Sequence, residues 1–246
     1  MIKMRFVVIV FFISIALVAN ATAAPINQVG YGTLTGTQLI TFDDVAGGAA
    51  PGTNYDAIFR SGNTSFGERL LGQTLTTSGD FDILSGAPTG SLSLAVGAPG
   101  QNLNIFIHTN LSQVLTGLGP KGFPDYDAVG EGSFAVLFDK DQSQFGFQLV
   151  GGNSGSAWID FFRRDGSLIS EIVVASLSEE FYGFSRDEAI MDIAGISIYN
   201  TDPAGIGFDN LRHDVAGEPV VPIPATLLLF GSGLLGLAGF RKRLKK

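Results

Sequence analysis

Only two histidines, His108 and His213, are available as bases near neutral pH, and the chain has no cysteine to serve as a nucleophile or thiolate ligand. The two stand 105 positions apart, which is no recognisable zinc-ligand spacing. Each lies beside turn residues and reads as a surface or edge histidine. The stretch "GGNSGSAW" invites comparison with a serine nucleophile loop, but Asn153 stands where an acidic residue would, and Ser156 replaces the last glycine of G-x-S-x-G. Glycoside hydrolysis needs only two carboxyls at a set separation, and 23 acidic residues meet that need by number without singling out a pair. No catalytic residues are assigned, and the chain is read as a non-enzyme, with glycoside hydrolase as the weaker alternative.

Aromatic rings are the other chemical resource. A flat ring complements the C–H face of a pyranose while polar neighbours take its hydroxyls. Tyr55, Tyr126, Trp158, Tyr182 and Tyr199 are among the rings with a polar edge, beside 20 phenylalanines, most of them at alternating positions that assign them to a core. Trp158 is expected in that core as well. Tyr126 and Tyr182 lie in turn-like polar stretches and are expected to be exposed, ligand-binding rings. In "DKDQSQ" the alternation of Asp139, Asp141 and Ser143 is reminiscent of a calcium loop, but the glycine and distal glutamate of an EF-hand are missing, so a solvated hairpin tip is expected.

The elements that must position these groups are strands. Apolar residues alternate in Leu92/Leu94/Val96, Phe134/Val136/Phe138, Phe145/Phe147/Leu149 and Ile196/Ile198. Each strand has one apolar face, so two sheets must close over a shared core. Asp165-Gly166 between "AWIDFFRR" and "SLISEIVVAS" predicts a tight hairpin. Ten to twelve short strands without a long amphipathic helix predict an all-β antiparallel sandwich of jelly-roll type. One short helical segment is considered at Leu111 to Leu118.

Both ends differ from this middle. Lys3 and Arg5 precede an apolar run from Phe6 to Val18, and Ala21-Thr22-Ala23 supplies an A-x-A cleavage pattern, the order of a secretory signal peptide spanning residues 1–23. Residues 24–214 then form the exported domain and residues 215–220 a stalk. From Ala225 to Phe240 there are 16 residues without a charge, about 24 Å as a helix, followed by the basic cluster Arg241, Lys242, Arg243, Lys245 and Lys246. That cluster stays cytoplasmic and leaves the domain outside, anchored transiently or permanently by a transmembrane helix.

The chain carries a net charge of −8, but two of its 15 basic residues lie in the signal and five in the tail. Residues 24–218 therefore set eight basic against 23 acidic side chains, a balance of −15. Such a surface repels phosphate backbones and argues against nucleic acid as a partner. A body of roughly 195 residues buries enough surface to fold without disulfides.

The tail resembles a known family. Val221-Pro222-Ile223-Pro224-Ala225, the Leu/Gly-rich span and the basic end are similar, in order and spacing, to the PEP-CTERM protein-sorting signal of Gram-negative bacteria. Ile223 stands where the commonest form has Glu, so the segment (residues 221–246) looks like the VPLPA-type variant. The resemblance implies an exosortase-like membrane protease as partner and a cell-envelope or extracellular-matrix location. With it comes a structural or adhesive role in exopolysaccharide and biofilm, with a carbohydrate-binding module as the alternative. The middle resembles the glycine-rich ectodomains often joined to such tails, which look like carbohydrate-binding jelly rolls. That likeness implies a structural calcium ion held by acids near the first and last strands, and Asp43, Asp44 and Asp209 are the matching positions.

Overall fold

A computed structural model describes residues 25–108 and 112–214. The expected signal peptide with Ala21 and Ala23, the stalk, the sorting motif Val221–Ala225, the transmembrane segment and the basic tail lie outside the described residues. Among the described residues no helix is long and apolar enough to cross a membrane.

In chain order the strands begin with β1 (Ile26–Gly30), β2 (Gln38–Ile40), β3 (Thr53–Tyr55), β4 (Phe59–Ser61), β5 (Thr64–Gly67) and β6 (Arg69–Leu70). They continue with β7 (Thr74–Ser78), β8 (Phe81–Ser85), β9 (Leu94–Ala95), β10 (Leu103–Ile107), β11 (Gln113–Leu118) and β12 (Val129–Gly132). The last seven are β13 (Phe134–Gln142), β14 (Gln144–Val150), β15 (Ser156–Phe162), β16 (Leu168–Ala175), β17 (Phe181–Arg186), β18 (Ile193–Asn200) and β19 (Gly207–His213). These 19 among the described residues exceed the expected ten to twelve because several segments of two or three residues pair only briefly.

One nine-stranded sheet runs β1-β17-β14-β19-β11-β10-β3, with β12 on β11 and β2 on β19. A six-stranded sheet runs β16-β15-β18-β13-β5-β4. Every pairing between named strands is antiparallel, the tight register of β15 with β16 included. Two further pairs, β6-β9 and β7-β8, lie outside both sheets.

The two large sheets lie face to face because each contributes one apolar side to a single core. Phe134 on β13 meets Phe208 on β19 at 4.6 Å between ring centroids, Phe161 on β15 meets Phe184 on β17 at 5.5 Å, and Phe138 meets Phe145 at 6.0 Å. Edge-on and tilted rings at such distances add attraction beyond the area they bury. The alternating residues of β13, β14 and β18 are buried as the period-two pattern predicts, and the Asp165-Gly166 hairpin forms, with Gly166 at φ +87° and its N–H donating to Arg163 O.

Three local expectations fail. Gln113–Leu118 is the strand β11, not a helix: it lies between β10 and β12 in the nine-stranded sheet, pairing Leu115 with Ile105 and Gly117 with Gly132. Its Gly117 admits β12 so closely that a Cβ there would stand 2.4 Å from Gly132 O. Asp139 to Ser143 is not a hairpin tip, because β13 and β14 belong to different sheets and the segment carries the chain across. Arg60 and Arg164 hold Asp139 and Asp141, while Ser143 donates its N–H and hydroxyl to Asp214. Around Leu92/Leu94/Val96 only the two residues of β9 form a strand, and Val96 is exposed.

Candidate functional site

A cleft of about 460 Å³ lies beside β10, β11 and β12 of the nine-stranded sheet. Thr116 of β11, Val129 and Glu131 of β12, Phe106 and Ile107 of β10, His108, and the Pro203–Gly207 approach to β19 line it, with Tyr126 and Asp127. Its volume lies in the range usual for small-molecule sites.

Tyr126 is held there by a short 3-10 turn, Tyr126–Ala128. Asp125 caps the turn by accepting the Asp127 N–H at 3.0 Å, Val129 N–H closes onto Tyr126 O, and Ala128 is buried beneath. The ring itself is 64% exposed. Asp127 beside it faces solvent and pairs with Lys121 at 3.2 Å, and the same ammonium meets Asp80 at 3.3 Å.

Glu131 is the unexpected member. It is only 7% exposed, and its Oε2 has no hydrogen-bond partner among the described residues. Burial pushes its carboxyl up to about 7; Asp80, Asp127 and Asp202 add to the rise and Lys121 opposes it. Its place is set by two glycines. At Gly132 a Cβ would stand 2.4 Å from Leu118 backbone, and at Gly130, φ +91°, 2.5 Å from Ile206 N. Asn200 Nδ2 and Ile206 N both donate to Gly130 O, tying β12 to the loop before β19. A lone acid between glycines, "VGEGS", within an apolar sheet was the sequence signal for this residue.

Asp202 is near but occupied, since its carboxylate accepts the N–H groups of Asn153, Ser154 and Ala204. The Ser154 segment is thus a turn built on Asp202, not a nucleophile loop. His108 lines the cleft and its ring lies edge-on to Phe106 at 6.3 Å.

The other candidates are scattered. Tyr182, expected exposed, is 4% exposed: it alternates with Phe184 on the core side of β17, packs 5.6 Å from Phe147, and donates its hydroxyl to Ser178 O at 3.3 Å. Trp158, expected in the core, lies half-buried on the outer face of the six-stranded sheet and stacks at 5.0 Å on its cross-strand neighbour Tyr199. The core positions of that strand are Ala157, Ile159 and Phe161. His213 is no surface histidine but fully buried, with Nε2 3.3 Å from Thr64 Oγ1 and Nδ1 2.8 Å from Asp214 O. The carbonyl can only accept, so Nδ1 carries the proton and the Thr64 hydroxyl donates to Nε2. Burial lowers its pKa to about 4.

The calcium positions are met by the protein's own donors. Thr41 donates to Asp43 at 2.9 Å, Ser61 to Asp44 at 2.6 Å, and Asn210 N–H to the buried Asp209 at 2.6 Å. Burial raises the Asp209 carboxyl, and Asp43 adds to the effect. Calcium takes six to eight oxygens. Among the described residues no group of three or more His, Cys, Asp or Glu is placed to hold a metal ion.

Residues 220–243 match the model of the PEP-CTERM protein-sorting motif. No curated protein matches the chain. Solved structures similar to part of it include a family 6 carbohydrate-binding module, with 15% identity over 46% of this chain and 81% of that one and a TM-score of 0.29. The CsCBM6-3 module from Clostridium stercorarium, in complex with cellobiose, has 11% identity over 48% and 84%, with a TM-score of 0.29. A family 43 arabinoxylan arabinofuranohydrolase from Bacillus subtilis, in complex with cellotetraose, has 10% identity over 69% and 53%, with a TM-score of 0.21.

Proposed function

We propose that this chain is an exported, non-catalytic adhesive protein that an exosortase-type system sorts to the cell envelope or extracellular matrix, where its domain holds extracellular polysaccharide in the Tyr126–Glu131 cleft. The sorting step is supported by the motif at residues 220–243, whose Val221–Ala225 segment would be presented at the membrane. The sandwich is read as jelly-roll in type, because β13 to β14, β14 to β15, β16 to β17, β17 to β18 and β18 to β19 each pass from one sheet to the other.

The binding role rests on one observation: an exposed ring, Tyr126, borders a concave site that the buried acid Glu131 also lines. This is the division of labour a saccharide needs, with an apolar face for ring C–H groups and enclosed polar atoms for hydroxyls.

Hydrolysis is disfavoured by the same geometry. A glycosidase sets a second carboxyl across from its acid. Near Glu131, however, Asp127 is tied to Lys121 and Asp202 is filled by three backbone N–H groups. The deciding experiment is retention of the detergent-solubilised full chain on immobilised exopolysaccharide from its producing cells. Retention that disappears with Tyr126→Ala is expected; equal elution of both proteins in the flow-through would refute the role.

A further inference from the structure

The acidic character of the cleft narrows the ligand further, given the saccharide-binding reading above. The groups facing Glu131 come from four separate places in the chain. Asp80 is in the turn between β7 and β8, Lys121 in the loop after β11, Asp127 in the 3-10 turn and Asp202 in the loop before β19. His108 lines the same space.

Of these, Lys121 is already divided between Asp80 and Asp127, and Asp202 is saturated by backbone donors. Glu131 alone is left with a buried oxygen lacking a donor. A uronic-acid chain would bring more negative charge to a cleft whose lining already holds Asp127 and Glu131, inside a domain of balance −15. A neutral sugar would offer hydroxyl donors but no charge. An ammonium offers a donor and also a charge that draws the Glu131 carboxyl, held near 7 by burial, into its ionised form, and charge-assisted hydrogen bonds are about twice as strong as neutral ones.

We propose that the cleft selects an amino sugar with a free ammonium group, which donates to Glu131 while the face of its ring lies on Tyr126. A lysine side chain of a protein partner carries the same ammonium but has no flat C–H face to match a ring 64% exposed at the mouth, so the saccharide is favoured.

The test is calorimetric titration of the full chain in detergent at physiological salt with glucosamine, N-acetylglucosamine and glucose oligomers of equal length. The glucosamine oligomer is expected to bind at least tenfold more tightly than the other two. Glu131→Gln should abolish that preference while leaving weak binding of all three. Asp127→Asn, at an exposed side chain, should reduce it in the same direction, which keeps the test informative if the buried substitution unfolds the protein. Glu188→Gln, on a distant exposed turn, should leave it intact. Equal affinity for the three oligomers would overturn the amino-sugar inference while preserving saccharide binding. A preference that survives Glu131→Gln, or falls equally with Glu188→Gln, would reduce the effect to diffuse charge attraction. Binding of a lysine oligomer that depends on Glu131, without glucosamine binding, would transfer the site to a protein ligand. No binding by any saccharide would instead remove the underlying reading.

Discussion

Tyr126 and Glu131, five positions apart, line one cleft in opposite states: Tyr126 is 64% exposed, Glu131 7%. A capped 3-10 turn leads directly into a strand whose two glycines flank Glu131, so one short segment supplies both the apolar platform and the enclosed acid.

The two tyrosines expected to bind ligand should separate cleanly on truncation. Tyr126→Ala removes a side chain in solvent, and chemical denaturation should show a change within about 0.5 kcal/mol. Tyr182→Ala removes a ring packed on Phe147 and should cost about 3 kcal/mol or more. Similar losses for both would mean that the 3-10 turn is part of the structural core.

Stability should depend on pH through groups of opposite sign. His213 titrates near 4 when folded against 6.5 ordinarily, so the unfolded chain binds more protons between those values, and stability is lost as pH falls from 6.5 to 4. Glu131 is raised from 4.5 to about 7, and Asp82 and Asp160 from 3.8 to about 6, mainly by burial. For these the folded state binds more protons, so their contribution is full below about 4 and is lost as pH rises from there to 6 or 7. Glu131→Gln should therefore gain stability relative to the parent as pH rises from 4.5 to 7, as read from urea midpoints. A constant difference across that range would contradict the burial of Glu131.

Metal removal is expected to be silent. With Asp43, Asp44 and Asp209 each bonded to a neighbouring donor, calcium and EDTA should give melting temperatures within about 1 °C, since only ligands bound to the folded state raise stability. A calcium-dependent rise of several degrees, lost in Asp209→Asn, would instead establish a structural ion at these positions.

Sorting makes a prediction about mass. Native protein from the envelope should lack residues 1–23 and the basic tail from Arg241 to Lys246, if both the signal and the matched motif are processed. Intact-mass spectrometry reads both events at once; a retained tail would indicate a permanent anchor instead.

The sandwich was legible because period-two alternation fixes which face of β13, β14 and β18 is apolar. What escaped the sequence was decided by pairing over long distances. The residues of β11 lie buried on both faces, so Gln113–Leu118 offers no alternation to read. Tyr182 is separated by one residue from the pair Glu179-Glu180 and reads as a turn residue, although its spacing to Phe184 already matches an inward face. Trp158 shows the limit of composition: a large apolar ring suits the core by type, yet its neighbours Ala157 and Ile159 take the inner face and leave it to stack on Tyr199 outside. Glu131 escaped because one acid among 23 has no distinguishing pattern except the glycines at its sides.

Hydrogen exchange of the full-length protein, with and without its own exopolysaccharide, locates the bound chain most directly. Protection is expected at residues 126–132 and 203–207 and at the segments of β10 and β11 beneath them. Protection confined to β15, β16 and β18, around Trp158 and Tyr199, would place the ligand on the opposite sheet and contradict the cleft as the binding site.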